Sequence, residues 1–300
     1  MTELAKKYYS KVLLFGEYTV TLGSGALAIP YSGYWGYWDF GSGNTDDQVG
    51  LLKLYQHLIK SDKLQDLYKL KNFKDDLDKG LFFSSNIPQG YGLGSSGALV
   101  AGIYDRYAVH KVLDYNQLKK VLAETEGAFH GSSSGVDPLV SYLNTPVLID
   151  STGHIMSVNS DMINKDTYLL DTGIERTTDV YIEIFKNKLK TDEKFTHIVK
   201  QISKINEKAI SATLYNNSHN LYAAFGQIST IQYEYFREMI PECLSVLWQE
   251  GLYSQKHYLK LCGAGGGGMM LCMAKSSKEL TDKLKSLSLH YMSISPIMIS

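Results

Sequence analysis

Arginine is nearly missing from this 300-residue sequence: Arg106, Arg176 and Arg237 are the only three among 30 basic residues, and the other 27 are lysines. Planar, two-pronged capture of a carboxylate or phosphate therefore has few candidates. Charge of one sign is missing too, since 30 basic residues face 31 acidic ones and the net charge is −1. No segment concentrates positive charge as a binder of nucleic-acid backbones would, so nucleic acid is excluded as the main partner. Cysteine is scarce: Cys243, Cys262 and Cys272 form an odd set with no C-x-x-C, which excludes a disulfide or zinc framework and reads as buried thiols. No apolar run approaches the roughly 18 residues of a membrane span. The N-terminus offers four consecutive apolar residues, Val12 to Phe15, against the about 7–15 of a secretory signal core, and the expectation is a cytoplasmic protein. A G-x-x-x-x-G-K-[ST] loop is absent, as are H-R-D and D-F-G, so neither a Walker-type site nor a protein kinase is encoded.

What is present is glycine, 26 residues of it, clustered at 90–97 and 263–268 where backbone can approach a ligand closely. Around these clusters the chain reads as strands at Lys11–Phe15 and Ala26–Pro30 and an aromatic strand over 34–40. A helix over about 50–70 follows, in which Leu51, Leu54, Tyr55, Leu58 and Ile59 keep a helical period. A strand over Leu81–Ile87 ends at Pro88; helices over Ala98–Val112 and 115–130 and a short helix after Pro138 come next. Strands at 146–149 and 167–171, long helices at 192–226 and 230–250, and a strand at Met269–Met273 complete the reading. A composition change near residue 160 suggests two domains, 1–165 and 166–300.

Gly92-x-Gly94-x-x-Gly97 formally fits a dinucleotide fingerprint, and Asp114 follows about 20 residues later, but beyond a helix and not at the end of a second strand. The run Gly263-Ala-Gly-Gly-Gly-Gly268 fits the same spacing by glycine density alone, so the match discriminates little. Physically, the first loop places backbone N–H groups at the start of a helix, where orphan donors and the positive dipole end suit a phosphate. Ser95 and Ser96 add hydroxyls that can donate or hold a magnesium ion. A flexible turn with Ser as N-cap is the rival reading.

Three segments in order resemble the GHMP kinases, named for galactokinase, homoserine kinase, mevalonate kinase and phosphomevalonate kinase. Lys11-Val-Leu-Leu-Phe-Gly-Glu-Tyr18, followed by Gly23 and Ala26-Leu-Ala28, resembles the first family motif. Pro88-Gln-Gly-Tyr-Gly-Leu-Gly-Ser-Ser-Gly-Ala98 is similar to the second, with Gly97 where alanine is usual, and Lys260-Leu-Cys-Gly-Ala-Gly-Gly-Gly-Gly268 to the third, with Cys262 in place of Thr or Ser. Glu126-Gly-Ala-Phe-His130-Gly-Ser-Ser-Ser-Gly-Val-Asp137 and Thr172-Gly-Ile-Glu-Arg-Thr-Thr178 resemble two further stretches of mevalonate kinases.

The resemblance implies an α+β, two-domain GHMP kinase fold: a ribosomal S5 domain 2-like N-terminal domain and a ferredoxin-like C-terminal domain. It implies ATP-dependent phosphorylation of a small-molecule alcohol, with ATP and Mg2+ as cofactors. Asp137 would be the catalytic base and Lys11 its companion cation, with Ser96 and Glu126 on magnesium. Pro88, Gly90, Gly92, Leu93, Gly94, Ser95, Ser96, Gly97 and Ala98, with Gly263, Ala264, Gly265 and Gly266, would hold the nucleotide. Glu17, Tyr18, His130, Ser134, Arg176 and Thr178 would face the acceptor, Arg176 taking its anionic end.

Each residue keeps a plainer rival. Asp137 before Pro138 suits a helix cap, Glu126 a solvated helix face, and Lys11 a strand edge. Ser10 stands where Gly is usual, Tyr18 replaces the mevalonate kinase His, and Ser133 replaces Pro. Gly-Glu-Tyr is the form similar to phosphomevalonate kinases, but the Glu126–Asp137 segment resembles mevalonate kinases over twelve positions, so the acceptor is expected to be mevalonate, with phosphomevalonate, homoserine or a sugar as alternatives. A diphosphomevalonate decarboxylase and a silent nucleotide-binding homologue stay open, as does a homodimer.

Overall fold

The computed structural model describes residues 6–41, 45–131, 133–159, 166–176 and 178–294. The chain forms two compact units that interleave along the sequence. One comprises residues 1–11, 30–88 and 94–145, the other 12–29, 89–93 and 146–300. The two domains expected from composition, 1–165 and 166–300, are continuous, whereas these units exchange the chain repeatedly.

The first unit takes the head of β1 (Tyr8–Phe15) and most of β2 (Ala26–Phe40). It continues with α1 (Thr45–Lys60), α2 (Leu70–Asp78), β3 (Leu81–Ser85), α3 (Ser95–Tyr107), α4 (Tyr115–His130) and α5 (Val136–Leu143). β2 and β3 pair antiparallel from Gly36 opposite Ser85 to Phe40 opposite Leu81. α3 is buried on nearly every face, through Gly97, Ala98, Val100, Ala101, Ile103, Tyr104 and Tyr107, and so forms the unit's central helix. α1 turns Leu51, Leu54 and Leu58 inward with no exposure above 1%, the stripe its period predicts. α4 begins where Asp114 accepts the N–H of Gln117 at 2.8 Å, which makes Asp114 an N-cap and removes it as a ribose ligand.

The second unit takes the tail of β1, a 3-10 turn at Thr19–Leu22 and the head of β2. Ala26–Ala28 pair antiparallel with β4 (Val147–Ile149), and β4 with β5 (Ile155–Ser157). A second sheet runs in the order β7 (His257–Leu261), β8 (Met269–Ala274), β6 (Thr167–Asp171), β9 (Tyr291–Ser293), antiparallel throughout. Between β6 and β7 lie α6 (Thr178–Thr191), α7 (Glu193–Leu214), α8 (Ser218–Tyr235) and α9 (Glu242–Ser254), and α10 (Ser277–Ser286) joins β8 to β9. That order and those helical crossovers are the split β-α-β arrangement of ferredoxin-like folds, as the resemblance implies. Every residue of β8 is buried, as a central strand covered on both faces requires. No described helix is long and apolar enough to cross a membrane.

The elements differ from the sequence reading in several places. Ala26–Pro30 and 34–40 are one 15-residue strand, because Pro30 falls between the stretch that pairs with β4 and the stretch that pairs with β3, where its missing N–H interrupts neither ladder. The helix expected over 192–226 is two helices, broken where Asn216 adopts φ 51° and Asn217 caps α8 by accepting the N–H of Asn220. The helix expected over about 230–250 is the end of α8 and then α9, split at Pro241. The helix expected over about 50–70 is α1, which ends at Lys60, and α2, α6, β5, β7 and β9 were not anticipated.

Candidate functional site

In the first unit, four of the expected residues meet at the start of α3. Gly94 caps that helix in a left-handed conformation, φ 76°, and a Cβ there would lie 3.3 Å from Asp137 Oδ2. At Gly97 a Cβ would lie 2.8 Å from the backbone carbon of Asp137 and 2.9 Å from Pro138 N, so α5 approaches α3 more closely than the family's alanine allows. Asp137 is the second residue of α5; Gly135 is the N-cap, and no side chain caps the helix, which disposes of the capping reading. The carboxylate instead meets Lys11 Nζ at 2.9 Å, with the lysine side chain 8% and the aspartate 31% exposed. Lys11 sits on β1 beside Ser10, whose hydroxyl donates to the Tyr31 carbonyl at 3.0 Å and seats the strand.

Glu126, on α4, is buried and not a solvated helix carboxylate. Ser96 Oγ donates to its Oε1 at 2.8 Å, and Ser133 Oγ donates to its Oε2. Ser133 also accepts the Gly135 N–H at 2.9 Å, so the residue that departs from the family's proline ties the glutamate to the turn before α5. Ser134 is exposed and accepts the Val136 N–H. Ser95 is the partly exposed first residue of α3, Ala98 is fully buried, and Pro88 lies beyond the end of β3. The side chains of His130 and Thr178 lie outside the described residues.

In the second unit, Arg176 joins two glycine segments. Its N–H donates to the Gly90 carbonyl at 3.2 Å. Its Nη1 donates to the carbonyls of Cys262 at 3.4 Å and Gly265 at 3.1 Å. Its Nη2 occupies the space a Cβ at Gly92 would need, 1.9 Å away, so only glycine admits the guanidinium there. Leu93, next in the loop, is buried. Glu17 pairs with Lys260, and neither side chain is more than 1% exposed. Tyr18 donates its hydroxyl to the Ala264 carbonyl at 2.5 Å, and burial pushes its phenol well above the ordinary range. Lys260 and Ser133 are the residues that sequence reasoning quoted without giving a role. The signal for Lys260 was a lysine inside the apolar run His257-Tyr-Leu-Lys-Leu261, and for Ser133 the hydroxyl seven residues after Glu126.

These arrangements supply a carboxylate paired with an amine at a helix start, a serine–glutamate oxygen pair beside it, and a separate glycine loop cradled by an arginine. Among the described residues no three His, Cys, Asp or Glu side chains gather into a metal cluster. Residues 54–145 match the family model of the GHMP kinases N terminal domain. No curated protein matches the sequence significantly. Among solved structures, L. major mevalonate kinase in complex with R-mevalonate is similar at a TM-score of 0.69 and 18% identity, over 98% of this chain and 97% of that one. Streptococcus pneumoniae phosphomevalonate kinase in complex with phosphomevalonate and AMPPNP is similar at 0.68 and 14%, over 97% and 100%. Lactococcus lactis galactokinase complexed with galactose is similar at 0.70 and 14%, over 98% and 94%. At these identities the likeness is one of fold. Residues 54–145 thus match the model of the GHMP kinases N terminal domain, and the chain as a whole shares the fold of these solved kinases.

Proposed function

We propose that the protein transfers the γ-phosphoryl group of ATP to the hydroxyl of a small-molecule alcohol, and that the alcohol is mevalonate. The observation that carries the reading is the Lys11–Asp137 pair at 2.9 Å, set against Gly94 and Gly97 at the start of α3. The N–H groups there suit phosphate oxygens. Asp137 accepts the hydroxyl proton as the acceptor oxygen bonds to Pγ and the bond from Pγ to the bridging oxygen breaks, releasing ADP. Lys11 orients the carboxylate and carries charge that develops on the attacking oxygen. Ser96 and Glu126 fit a magnesium ion by their chemistry: both offer hard oxygen donors, 2.8 Å apart, and Mg2+ commonly takes one or two carboxylates together with substrate phosphates. When bound, the ion neutralises phosphate charge.

The acceptor assignment rests on the Glu126–Asp137 segment, which resembles that of mevalonate kinases over twelve positions. Phosphomevalonate is the second reading, because the stretch Gly16-Glu17-Tyr18 as a whole is the form similar to phosphomevalonate kinases. Release of ADP is measured with mevalonate, phosphomevalonate, homoserine and galactose at matched subsaturating concentrations. Mevalonate is expected to be fastest; faster release with phosphomevalonate would replace the acceptor, and none with any alcohol would remove the reaction.

A further inference from the structure

Tyr18 adopts φ 62° and ψ −43°, a positive-φ backbone that a bulky side chain rarely holds without compensation. The compensation is visible within the second unit. Its hydroxyl reaches Ala264, and its ring stacks on Phe185 with centroids 4.3 Å apart and planes at 26°. The residue before it, Glu17, is locked to Lys260, and the residue after it, Thr19, accepts a hydrogen bond from Asn206 Nδ2 at 2.9 Å. Three successive side chains of the first motif are therefore each committed to a different element of this unit.

The loop they grip has an uneven distribution of hydrogen bonds. The carbonyls of Cys262 and Gly265 take Arg176, that of Gly268 takes the N–H and hydroxyl of Thr172 at 3.1 and 2.8 Å, and that of Ala264 takes Tyr18. The N–H groups of Gly263, Ala264, Gly265 and Gly267 donate to no acceptor among the described residues. A loop whose carbonyl dipoles are tied back while successive N–H groups stay unpaired carries the donor set of an anion-binding nest. Tyr18 matters to it because the Ala264 oxygen, once released, is a negative partial charge free to turn toward the same space.

We infer that Tyr18 is a positioning residue for the glycine loop 263–268, anchored by the buried Glu17–Lys260 pair, and that it sets affinity for the nucleotide's phosphates and not the choice of acceptor. The identity of the anion rests on the phosphotransferase reading. Tyr18→Phe keeps the ring stack and deletes the one hydrogen bond. Wild type and variant are titrated calorimetrically with Mg-AMPPNP in the absence of any alcohol, and initial rates follow. The expected result is a rise of roughly three- to tenfold in the Kd of the analogue and the KM of ATP, with acceptor KM within about twofold and the melting temperature within a few degrees. Tyr18→His is expected to weaken the nucleotide likewise and to leave the ranking of acceptors unchanged. Unchanged nucleotide affinity in Tyr18→Phe, or a rise confined to acceptor KM, would overturn the inference. Wild type that binds the analogue but releases no ADP counts against the proposed reaction, and the Kd comparison then decides this inference alone; wild type that binds no nucleotide overturns both.

Discussion

The two units each hold a lysine on a strand facing a carboxylate, and the pairs differ in one respect that separates chemistry from architecture. Lys260 and Glu17 are shut away, at 0% and 1% side-chain exposure, while Asp137 beside Lys11 is 31% exposed. A doubly buried pair has given up its hydration and is constrained to stay together, because losing either partner strands a charge in a medium that solvates it poorly. A pair with one open carboxylate can rearrange around an incoming hydroxyl and take up a proton. The same two functional groups thus serve as a bolt in one unit and, in the proposed reaction, as the reactive centre in the other.

The widest separation between the pairs should appear in turnover. Asp137→Ala is expected to lower kcat by about 10²–10⁴ while the melting temperature moves by no more than a few degrees and ATP still binds. Near-normal ADP release would reduce Asp137 to a structural partner of Lys11. Conversely, Lys260→Met is expected to cost about 3–5 kcal/mol in urea unfolding, because it leaves Glu17 charged and buried, and adding Glu17→Leu should recover most of that loss. A double variant no more stable than the single one would show that the two side chains are not coupled. Gly97→Ala tests how finely Asp137 must be placed. Its added methyl displaces the backbone of Asp137 and Pro138, and roughly tenfold lower kcat with unchanged ATP affinity is expected; an unchanged kcat would show that α5 gives way freely.

A third lysine–carboxylate pair, Lys6 with Asp105 at 2.6 Å, supplies the surface reference. Burial alone would raise the Asp105 carboxyl, but hydrogen bonds from Lys6 and Tyr8 and the charges of Lys6 and Lys111 outweigh it and hold the group below its usual range. A carboxyl lowered in the folded state contributes stability above its unfolded pKa of about 3.9, and that contribution disappears as pH falls through the folded value. The melting-temperature gap between wild type and Asp105→Asn is therefore expected to be small at pH 7 and to close below about pH 4. A gap that does not narrow as pH falls below about 4 would show that the charge is not what the pair contributes.

That Lys11 lies beside Asp137, and Ser96 beside Glu126, was legible in the sequence because each stands in a motif whose spacing reflects a backbone demand: a strand, a glycine turn, a helix start. Helix periods were legible for the same reason, and α4 was read to the residue. What escaped depends on partners distant in sequence. Pro30 reads as a strand end until β3 and β4 are seen to use different stretches of β2. Asn216 and Asn217 look like ordinary helix surface, since the apolar period continues on either side and only the backbone turn ends α7. Tyr18 and Glu17 were read toward an acceptor because a motif shows which residues occur and not which way they face; one is bonded to residue 264 and the other to residue 260.

That separation bears on how the protein is made. Glu17 and its partner lie 243 positions apart, and at the roughly 5–20 residues per second of synthesis the carboxylate emerges about 10–50 s before the lysine that neutralises it. Until then Glu17 must remain hydrated, so residues 12–29 cannot take their final place while the chain is short. A nascent chain halted at Thr145 would have every residue of the first unit and yet carry an eighteen-residue insertion, Val12–Ile29, with none of its later partners. The second unit closes only once β7 and the loop after it have been translated, which makes synthesis of that segment the event that commits the first motif to its distant partners.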